Sequence, residues 1–538
     1  MRTPFLDSMS ARLGRLIGGL YGLTPQARKL RRIAKQNNWT ELELRARQLL
    51  AGSPENRHVL SMLAESLQRQ NRLEESIEVA LRAASGPGAG WKPHFTAGVA
   101  LKELRRMDEA CGQFRMAASR APGKARVLRH LIEAVAVAEG IQQAAVEYTT
   151  RCGKRGAGSQ IMCAEIRDIR EWASGSGAPV LEAGEAEEIP YETPRVRGSS
   201  AAVETHCVSV AKPCVAELAG ARVFGQSGIV LASDGTALSE TAGHPQLGRF
   251  VSLADRKLIV ANSGGKALLD TSGFQIRHIE AGMLLAGSAS NAFGHWFPDF
   301  LPRLQFLRRH PDFDSLPIIV DEEMPQAHFD HLRRLAGNPL IRLKANESLV
   351  CGRLLMASSP SFVPVHLFPN DVPAREMPGL SPRALRFLRG GEDGNRSDAP
   401  RSGRWFLGRR GMSWRRLINE DEIVTELAKA GFKTVYLEDM GMEEQILIFQ
   451  QAEWIVAPNG SALLNLVFAD PDVKVLILSQ PGLFNWGTFQ GPMRALGYNP
   501  VWLCGGNVVA AGQKHSDYQV PVCHVREALQ EMGLEELS

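Results

Sequence analysis

Asn459, Gly460 and Ser461 follow the apolar run Trp454-Ile-Val-Ala457-Pro458 and precede Ala462-Leu-Leu-Asn465, so residue type alone reads as a strand, a tight turn and a helix start. Gly460 lets the backbone approach a ligand closely, and Asn459 and Ser461 are helix-capping side chains. Free N–H groups at the positive end of a helix dipole suit a phosphate or diphosphate. A diphosphate leaving group gathers negative charge there as its bond breaks, and one preorganised donor at such a point is worth on the order of 3 kcal/mol. Taken alone, the segment looks like many helices that follow a βα turn. Other chemistries leave weaker traces. Asp312-Phe-Asp314 forms a DxD, but both acids precede the apolar strand Leu316–Val320 and read as an exposed turn, so no metal site is assigned. No GxGxxG with a later acidic residue marks a dinucleotide oxidoreductase. The eight cysteines, Cys111, Cys152, Cys163, Cys207, Cys214, Cys351, Cys504 and Cys523, show neither CxxC nor zinc-ligand spacing and read as free thiols; Cys207 and Cys214 are a pair that could bridge in an oxidising compartment.

The elements around the glycine turn are those of a parallel sheet. Near-continuous apolar strands are predicted at Trp405–Leu407, Thr434–Leu437, Trp454–Ala457 and Val473–Leu478, with helices near 420–430, 442–452 and 461–468. Upstream, Leu316–Val320 reads as a strand, Gln326–Leu335 as a helix and Leu340–Leu343 as the next strand, while Ser233-Asp-Gly235 is a hairpin turn. The expected architecture is α/β, with two Rossmann-like halves over 205–388 and 403–538 joined by the Gly- and Asp-rich stretch 389–402. Ligands in such folds sit at the carboxyl ends of the strands.

Residues 28–154 read as helical and self-similar at an offset of 34: Ser76, Ala110 and Ala144 fall in register, as do Ala64 and Gly98, and Ala83 and Ala117. Small residues recur where helices cross closely, and Pro54 and Pro122 close units at matching places. This resembles tetratricopeptide repeats, with most of the motif's Trp and Tyr positions replaced. Three to four repeats are expected, an all-α domain whose surface binds a peptide or another subunit, or packs against its own catalytic domain. Residues 155–204, with Ser-Gly-Ser-Gly-Ala-Pro and an acidic, proline-punctuated run through Glu182, Glu185, Glu187 and Glu188, read as a flexible or extended linker.

The 538 residues exceed one core and call for two or three domains. Hydrophobic residues at 44% and charged residues at 22% are ordinary for a globular chain, and a net charge of +4 gives no reason to expect nucleic acid. In residues 1–27 the stretch Leu13–Leu23 is too interrupted by Arg15 and glycines for a spanning helix or a signal core; with Arg12 it forms either a cap on the next domain or a weak interfacial helix on an anionic membrane. The expected setting is the cytoplasm, with peripheral contact at the inner face of the membrane as the weaker alternative.

A longer order then stands out: Arg409, Arg416, Asn419-Glu420, Glu438, Glu444-Gln445 and Pro458-Asn459-Gly460-Ser461-Ala-Leu-Leu-Asn465, preceded far upstream by Gly294-His295-Trp-Phe-Pro-Asp299-Phe-Leu-Pro-Arg303-Leu. This resembles glycosyltransferase family 61, which includes capsular and surface polysaccharide enzymes, over about residues 205–500. The resemblance implies a glycosyltransferase B type fold, inversion at the anomeric carbon, and a nucleotide sugar, UDP-linked in expectation, as substrate with no cofactor and no obligatory metal. Arg409 and Arg416 would take the place of a metal as bidentate contacts to the diphosphate. Glu438 and Gln445 would hold the ribose or uracil, and Arg303, Asn419, Glu420, Asn459, Gly460, Ser461 and Asn465 complete the expected donor site; Glu420 and Glu444 also suit a helix start with no ligand at all. His295 and Asp299 are the candidates for the base that takes the acceptor hydroxyl proton. Four residues apart, they would share one face of a helical turn, although Pro298 favours a loop or a helix start. The family's glycine block commonly carries histidine where this chain has Asn459, which cannot carry a proton. The expectation is therefore sugar transfer to a glycan, lipid-linked glycan or protein acceptor. The alternative is a repeat scaffold with a degenerate transferase domain that only binds glycan or nucleotide.

Overall fold

The computed structural model describes residues 25–36, 38–85, 89–152, 160–197, 202–239, 257–361, 379–390, 401–409, 415–480, 486–507 and 517–535. The stretch Leu13–Leu23 and most of the joining stretch 389–402 lie outside the described residues. The chain divides into two compact units, one of Met1–Ala164 with Ile259–Ser272, the other of Glu165–Leu258 with Gly273–Ser538.

The first unit is a helical repeat. Its helices are α1 (Pro25–Lys35), α2 (Trp39–Gly52), α3 (Arg57–Arg69), α4 (Leu73–Ala84), α5 (Trp91–Glu103), α6 (Met107–Arg120), α7 (Ala125–Ala138) and α8 (Ile141–Cys152). Successive starts at Trp39, Met107 and their partners Leu73 and Ile141 keep the sequence offset of 34, as do Arg57, Trp91 and Ala125. Asn38 and Asn56 cap two of the helices, accepting from Glu41 N at 3.2 Å and Val59 N at 3.3 Å. The small residues do what close crossing requires: Ala64, Ser76, Ala110, Ala117 and Ala144 are all fully buried, and Ser76 Oγ donates to Ala64 O at 2.8 Å. Asn71 and Arg105 turn the chain into α4 and α6 at φ 62° and 61°, one repeat apart. A hairpin far along the sequence completes this unit: β8 (Ile259–Ser263) and β9 (Lys266–Asp270) bury Ala261 and Leu268 in the same core as α5–α8. Tyr148 Oη donates to Asp270 at 2.8 Å, and Thr271 N to Gln160 O at 2.8 Å. The repeat helices thus lie within Pro25–Cys152, and the compact unit they belong to also takes in the distant hairpin.

Among the described residues the second unit holds two large sheets and two two-stranded ribbons. Residues 155–204, expected to be a linker, instead carry β1 (Ile161–Arg167), which begins in the first unit and ends in the second, then α9 (Ile169–Ser176), β2 (Val180–Glu182) and β3 (Glu187–Glu192). Few large apolar residues suffice here, because Ile166, Ile169, Trp172 and Ile189 are all buried, and Glu187 accepts from Ser381 Oγ and Arg383 N. The larger sheet contains β1 and β2 together with β5 (Cys214–Phe224), β6 (Ile229–Leu231), β7 (Ala237–Ser239), β10 (Gln275–Leu284), β11 (Ile318–Asp321), β12 (Leu340–Leu343) and β13 (Glu347–Ala357), while β3 pairs with β4 (Thr205–Val210) in a separate ribbon. Helix α10 (Gln326–Leu335) joins β11 to β12 as expected. The order β12-β11-β10-β13 is parallel, but β5 pairs antiparallel with β13 and β6 and β7 continue antiparallel. This half is therefore a mixed sheet, not a plain Rossmann-like one. The expected turn at Ser233–Gly235 links β6 and β7, with Gly235 at φ 86°.

The second sheet is wholly parallel, in the order β15 (Lys433–Val435), β14 (Gly403–Leu407), β16 (Ala452–Pro458), β17 (Lys474–Ser479), β18 (Val501–Cys504). One face packs α12 (Glu420–Lys429) and α15 (Val522–Glu531) through Ile423, Leu427, Val525 and Leu529 onto Phe406, Trp454 and Leu476. The other packs α13 (Met442–Gln450) and the 3₁₀ segment Ser461–Phe468 onto Leu407, Ile455 and Ile477, in the same core as Trp296, Phe297 and Leu301 of the larger half. In chain order the strands run 2-1-3-4-5, and such sheets bind ligands at the switch point between the first and third strands. Here that point lies past the ends of β14 and β16.

Candidate active site

Arg409 leaves the end of β14 and Asn459-Gly460 leaves the end of β16, so topology alone delivers both to the switch point. Arg409 Nη1 donates to Asn459 O at 3.1 Å. The Arg409 guanidinium lies directly against Gly460, 3.4 Å from where a Cβ would stand, an ordinary packing distance. Glu420, first residue of α12, accepts from Arg409 N at 3.3 Å. A Cβ at Gly408 would run into the Tyr436 ring and come within 3.0 Å of the Glu420 carboxylate. Burial pushes the Glu420 carboxyl up; Asp421 and Glu438 push the same way, while Arg409 pulls it down. Glu438 itself is exposed, on the short turn Leu437–Asp439.

A residue outside the expected set joins this group. Arg415 sits in the left-handed region at φ 52°, uncommon for a long side chain. Its Nε is buried and makes no hydrogen bond among the described residues. Burial and the neighbouring Arg409 charge hold its guanidinium below the usual arginine range. Tyr518, buried with its Oη donating to Leu478 O at 3.0 Å, is raised by burial and feels Arg409, Glu420 and Arg415. The adjacent pair Arg415-Arg416 was the available sequence signal, and only side-chain direction separates the two.

Arg416 points elsewhere. Its Nε and Nη2 donate to Asp517 Oδ2 at 2.9 and 2.6 Å, and its guanidinium is otherwise exposed. Asn419 donates to Val520 O at 2.8 Å and accepts from Val520 N at 3.1 Å, so both residues pin the 517–520 stretch beside the site. Gln445 is buried, its amide spent on Leu437 O at 2.8 Å and Met440 O at 3.2 Å, which shapes the turn that carries Glu438. The helix start at Ser461 differs from expectation. It is a 3₁₀ segment whose N-cap position is Gly460 in extended conformation, which has no side chain to cap with, while the Asn459 amide donates to Ser479 Oγ at 3.3 Å. Ser461 is exposed, whereas Asn465 is buried beneath, donating to Ala462 O at 3.3 Å.

The second block arrives from the larger sheet. After β10 the chain runs to a single turn, Phe293–His295, then a π-helical turn, Trp296–Phe300, and a 3₁₀ turn, Leu301–Arg303. π turns concentrate at functional sites. His295 Nδ1 and Asp299 Oδ2 are 3.1 Å apart, both side chains mostly buried, so Pro298 does not break the turn that brings them together. Arg303 is buried; its Nε donates to Asp299 O at 2.8 Å and its guanidinium lies 4.5 Å over Phe300. Behind this turn Trp296 stacks on His328 at 5.6 Å, and His328 Nδ1 bonds Ser290 O at 3.0 Å. Burial holds His328 down to about 4, as an uncharged packing partner. Asp321, at the end of β11, accepts from Gln226 N at 2.7 Å, Gly287 N at 2.9 Å and Ser290 Oγ at 2.6 Å, fixing the loop that leads into the turn. The two blocks meet: a Cβ at Gly294 would lie 3.3 Å from Ser461 Cβ, and Phe297 packs edge-on to Phe468 at 5.9 Å.

Asp312 lies before β11 and is ion-paired to Arg353 at 2.6 Å, and among the described residues no cluster of three or more His, Cys, Asp or Glu is arranged to hold a metal. All eight cysteines are free. No helix of the described residues is long and apolar enough to cross a membrane.

Residues 293–476 match the family described as Glycosyltransferase 61, a span that opens just before His295 and closes in β17. That match covers both blocks and supports a glycosyltransferase. No curated protein matches the chain. Among solved structures, MamA of MSR-1 is similar at 19% identity over 22% of this chain and 70% of that one, with a TM-score of 0.21. MamA from Desulfovibrio magneticus RS-1 is similar at 12% identity over 24% and 73%, with a TM-score of 0.22. The Naa15/Naa10 complex bound to HypK-THB is similar at 19% identity over 24% and 20%, with a TM-score of 0.21. These partial likenesses bear on no activity.

Proposed function

We propose that this protein is an inverting, metal-independent glycosyltransferase of the B type that moves a sugar from a nucleotide diphosphate, UDP-linked in the first instance, to a glycan, lipid-linked glycan or protein acceptor. The observation that carries the reading is the meeting of Arg409, Arg415 and Gly460 with the His295 block at the switch point of the parallel sheet. Two neighbouring like-charged guanidinium groups, one with a buried Nε that bonds nothing among the described residues, repel each other until an anion enters. Arg409 and Arg415 then clamp the diphosphate, the second in place of Arg416, and offset the charge that grows on it as the glycosidic bond breaks. Glu420 and Glu438 face the nucleoside side. His295 is the base: with Asp299 ionised, Nδ1 carries the hydrogen toward the carboxylate and Nε2 is left to take the acceptor hydroxyl proton. The acceptor oxygen attacks the anomeric carbon from the face opposite the diphosphate, which inverts the centre. The helical repeats bind a protein partner, and the setting is the cytoplasm.

Asn459 favours a second reading, in which a degenerate site binds donor without turnover, since it cannot carry the charge of the family's histidine. A donor panel decides between them. Hydrolysis of a UDP- or GDP-sugar that disappears in Arg409→Ala supports the enzyme; binding across the panel with no turnover supports the second reading.

A further inference from the structure

Three helices of the second unit end beside one another, and arginines tie the ends together. They are α10, α11 (Pro382–Arg389) and α14 (Trp486–Ala495). Arg308, just past the short helical turn Leu304–Leu307, donates to Leu335 O at the end of α10. Arg334 Nη1 donates to Leu388 O at 3.2 Å, and Arg386 Nη2 to Ala495 O at 3.3 Å. Rings lie beneath the same side chains: Arg308 is 5.4 Å from the centre of Phe387, and Arg334 is 5.5 Å from that of Phe468. Arg309 and Arg389 add two cations on the same elements, and their side chains make neither hydrogen bond nor ion pair among the described residues. Four of the five arginines are exposed and Arg389 is half-buried. Acids do not balance them. Asp330 is taken by Arg333 at 3.0 Å, Asp312 by Arg353 at 2.6 Å and Asp470 by Arg401 at 2.7 Å, which leaves the exposed Asp314; α11 and α14 carry no acid at all. Each helix end supplies about half a negative charge, so capping three ends accounts for only about 1.5 of the five positive charges. The remainder repel one another until an anion arrives.

We infer that the cluster of Arg308, Arg309, Arg334, Arg386 and Arg389 is a contact surface for an anionic phospholipid leaflet. Every cation in it is a guanidinium, whose planar fork matches phosphate oxygens. They project from the ends of separate helices, so they meet an extended array of phosphates better than one small anion. None of the exposed large hydrophobic residues lies on these elements, so the contact stays at headgroup depth and draws its strength from charge alone. Its place in the fold gives it a use. Phe468, under Arg334, closes the 3₁₀ segment that opens at Ser461, about 14 Å along such a helix from the candidate site. A leaflet held there keeps that site near a membrane-borne molecule, although the contact itself does not depend on sugar transfer.

The test is sedimentation of the full chain with vesicles, without nucleotide sugar. Equimolar phosphatidylcholine and phosphatidylglycerol should carry the protein down and phosphatidylcholine alone should not, with loss of binding as salt rises. Arg309→Gln combined with Arg389→Gln should weaken binding about 30-fold, as expected for two cations at a charged surface. Neither side chain bonds anything in the fold, so this variant should unfold at the wild-type temperature. Arg309→Lys combined with Arg389→Lys keeps the charge and should keep most of the binding, which separates charge from a packing role. Lys433→Gln, exposed on β15, should change nothing. Equal binding to phosphatidylcholine alone overturns the inference, as does an unchanged affinity in the Gln variant or an equal loss in the Lys variant. Polyglutamate binding that the Gln variant loses while vesicle binding persists would assign the cluster to a soluble polyanion and likewise overturn the lipid assignment.

Discussion

In the five-stranded sheet every strand runs parallel and helices cover both faces, whereas in the larger sheet β10–β13 run parallel and the neighbouring β5, β6 and β7 alternate in direction. Each nevertheless delivers a candidate site block after the first strand of its parallel portion: Arg409 after β14, and the His295 turn after β10. The difference lies in support. At β14 and β16 the backbone ends of two adjacent strands place Arg409 against Asn459 and Gly460 directly. At β10 a longer loop intervenes, and a buried carboxylate, Asp321, with three donors replaces strand geometry as the positioning device. A parallel sheet therefore positions charge cheaply at its switch point, and a mixed sheet needs a polar anchor to do the same.

The strongest way to break this comparison is Arg409→Ala, which removes the cation at the switch point. Donor hydrolysis or transfer should fall by about 10³-fold in kcat, in line with loss of one preorganised charge-stabilising donor, and an unchanged kcat would detach the glycine turn from the chemistry. His295→Ala tests the other block. Loss of about 10²-fold or more, with a smaller loss in Asp299→Asn, is expected for a base oriented by a carboxylate; activity within twofold in both variants would make the π turn a packing feature only. Arg415→Ala should raise the donor KM by about tenfold with a smaller change in kcat, and equal donor affinity would return the second guanidinium to open choice.

Smaller effects sharpen the contrast between neighbours in sequence. Arg416→Ala should change donor KM less than about twofold, because its guanidinium already serves Asp517. The Arg416 hydrogen bond holds the Asp517 carboxyl below its ordinary value. That pairing contributes stability above the ordinary carboxylate range, lost as pH falls through the lowered folded value. Arg416→Ala should thus move the acid-unfolding midpoint slightly toward higher pH, and the same midpoint as wild type would show that the pair is energetically silent. Adding EDTA should leave turnover unchanged; loss restored by manganese would reinstate Asp312 and Asp314 as metal candidates.

Much of the scaffold was legible in the residues. The offset of 34 placed the repeat helices, because each unit needs its small residues at the same crossing points. Four of the five strands of the parallel sheet and Leu340–Leu343 were readable as apolar runs, whereas β18 was not. What escaped reading depended on long-range contacts. Residues 161–192 looked too polar to fold, yet short strands need only a few buried side chains once a neighbouring strand exists. Arg415 and Arg416 are adjacent and identical in type, and only the left-handed backbone at Arg415 and the presence of Asp517 send them apart. Asn465 and Gln445 fit the motif order, but their amides are committed to backbone carbonyls inside the fold.

The hairpin β8–β9 has a temporal consequence. Its Leu268 and Ala261 close the core of α5–α8, and terminal cover of this kind is what a stack of repeats needs to be soluble. During synthesis the helices emerge first, and the stretch Glu165–Leu258 must follow before that cover exists. At ordinary elongation rates the wait is roughly 5–20 s. The helical unit is born with an open apolar end for that interval, and a nascent chain stalled between residues 165 and 258 should be the species that chaperones hold.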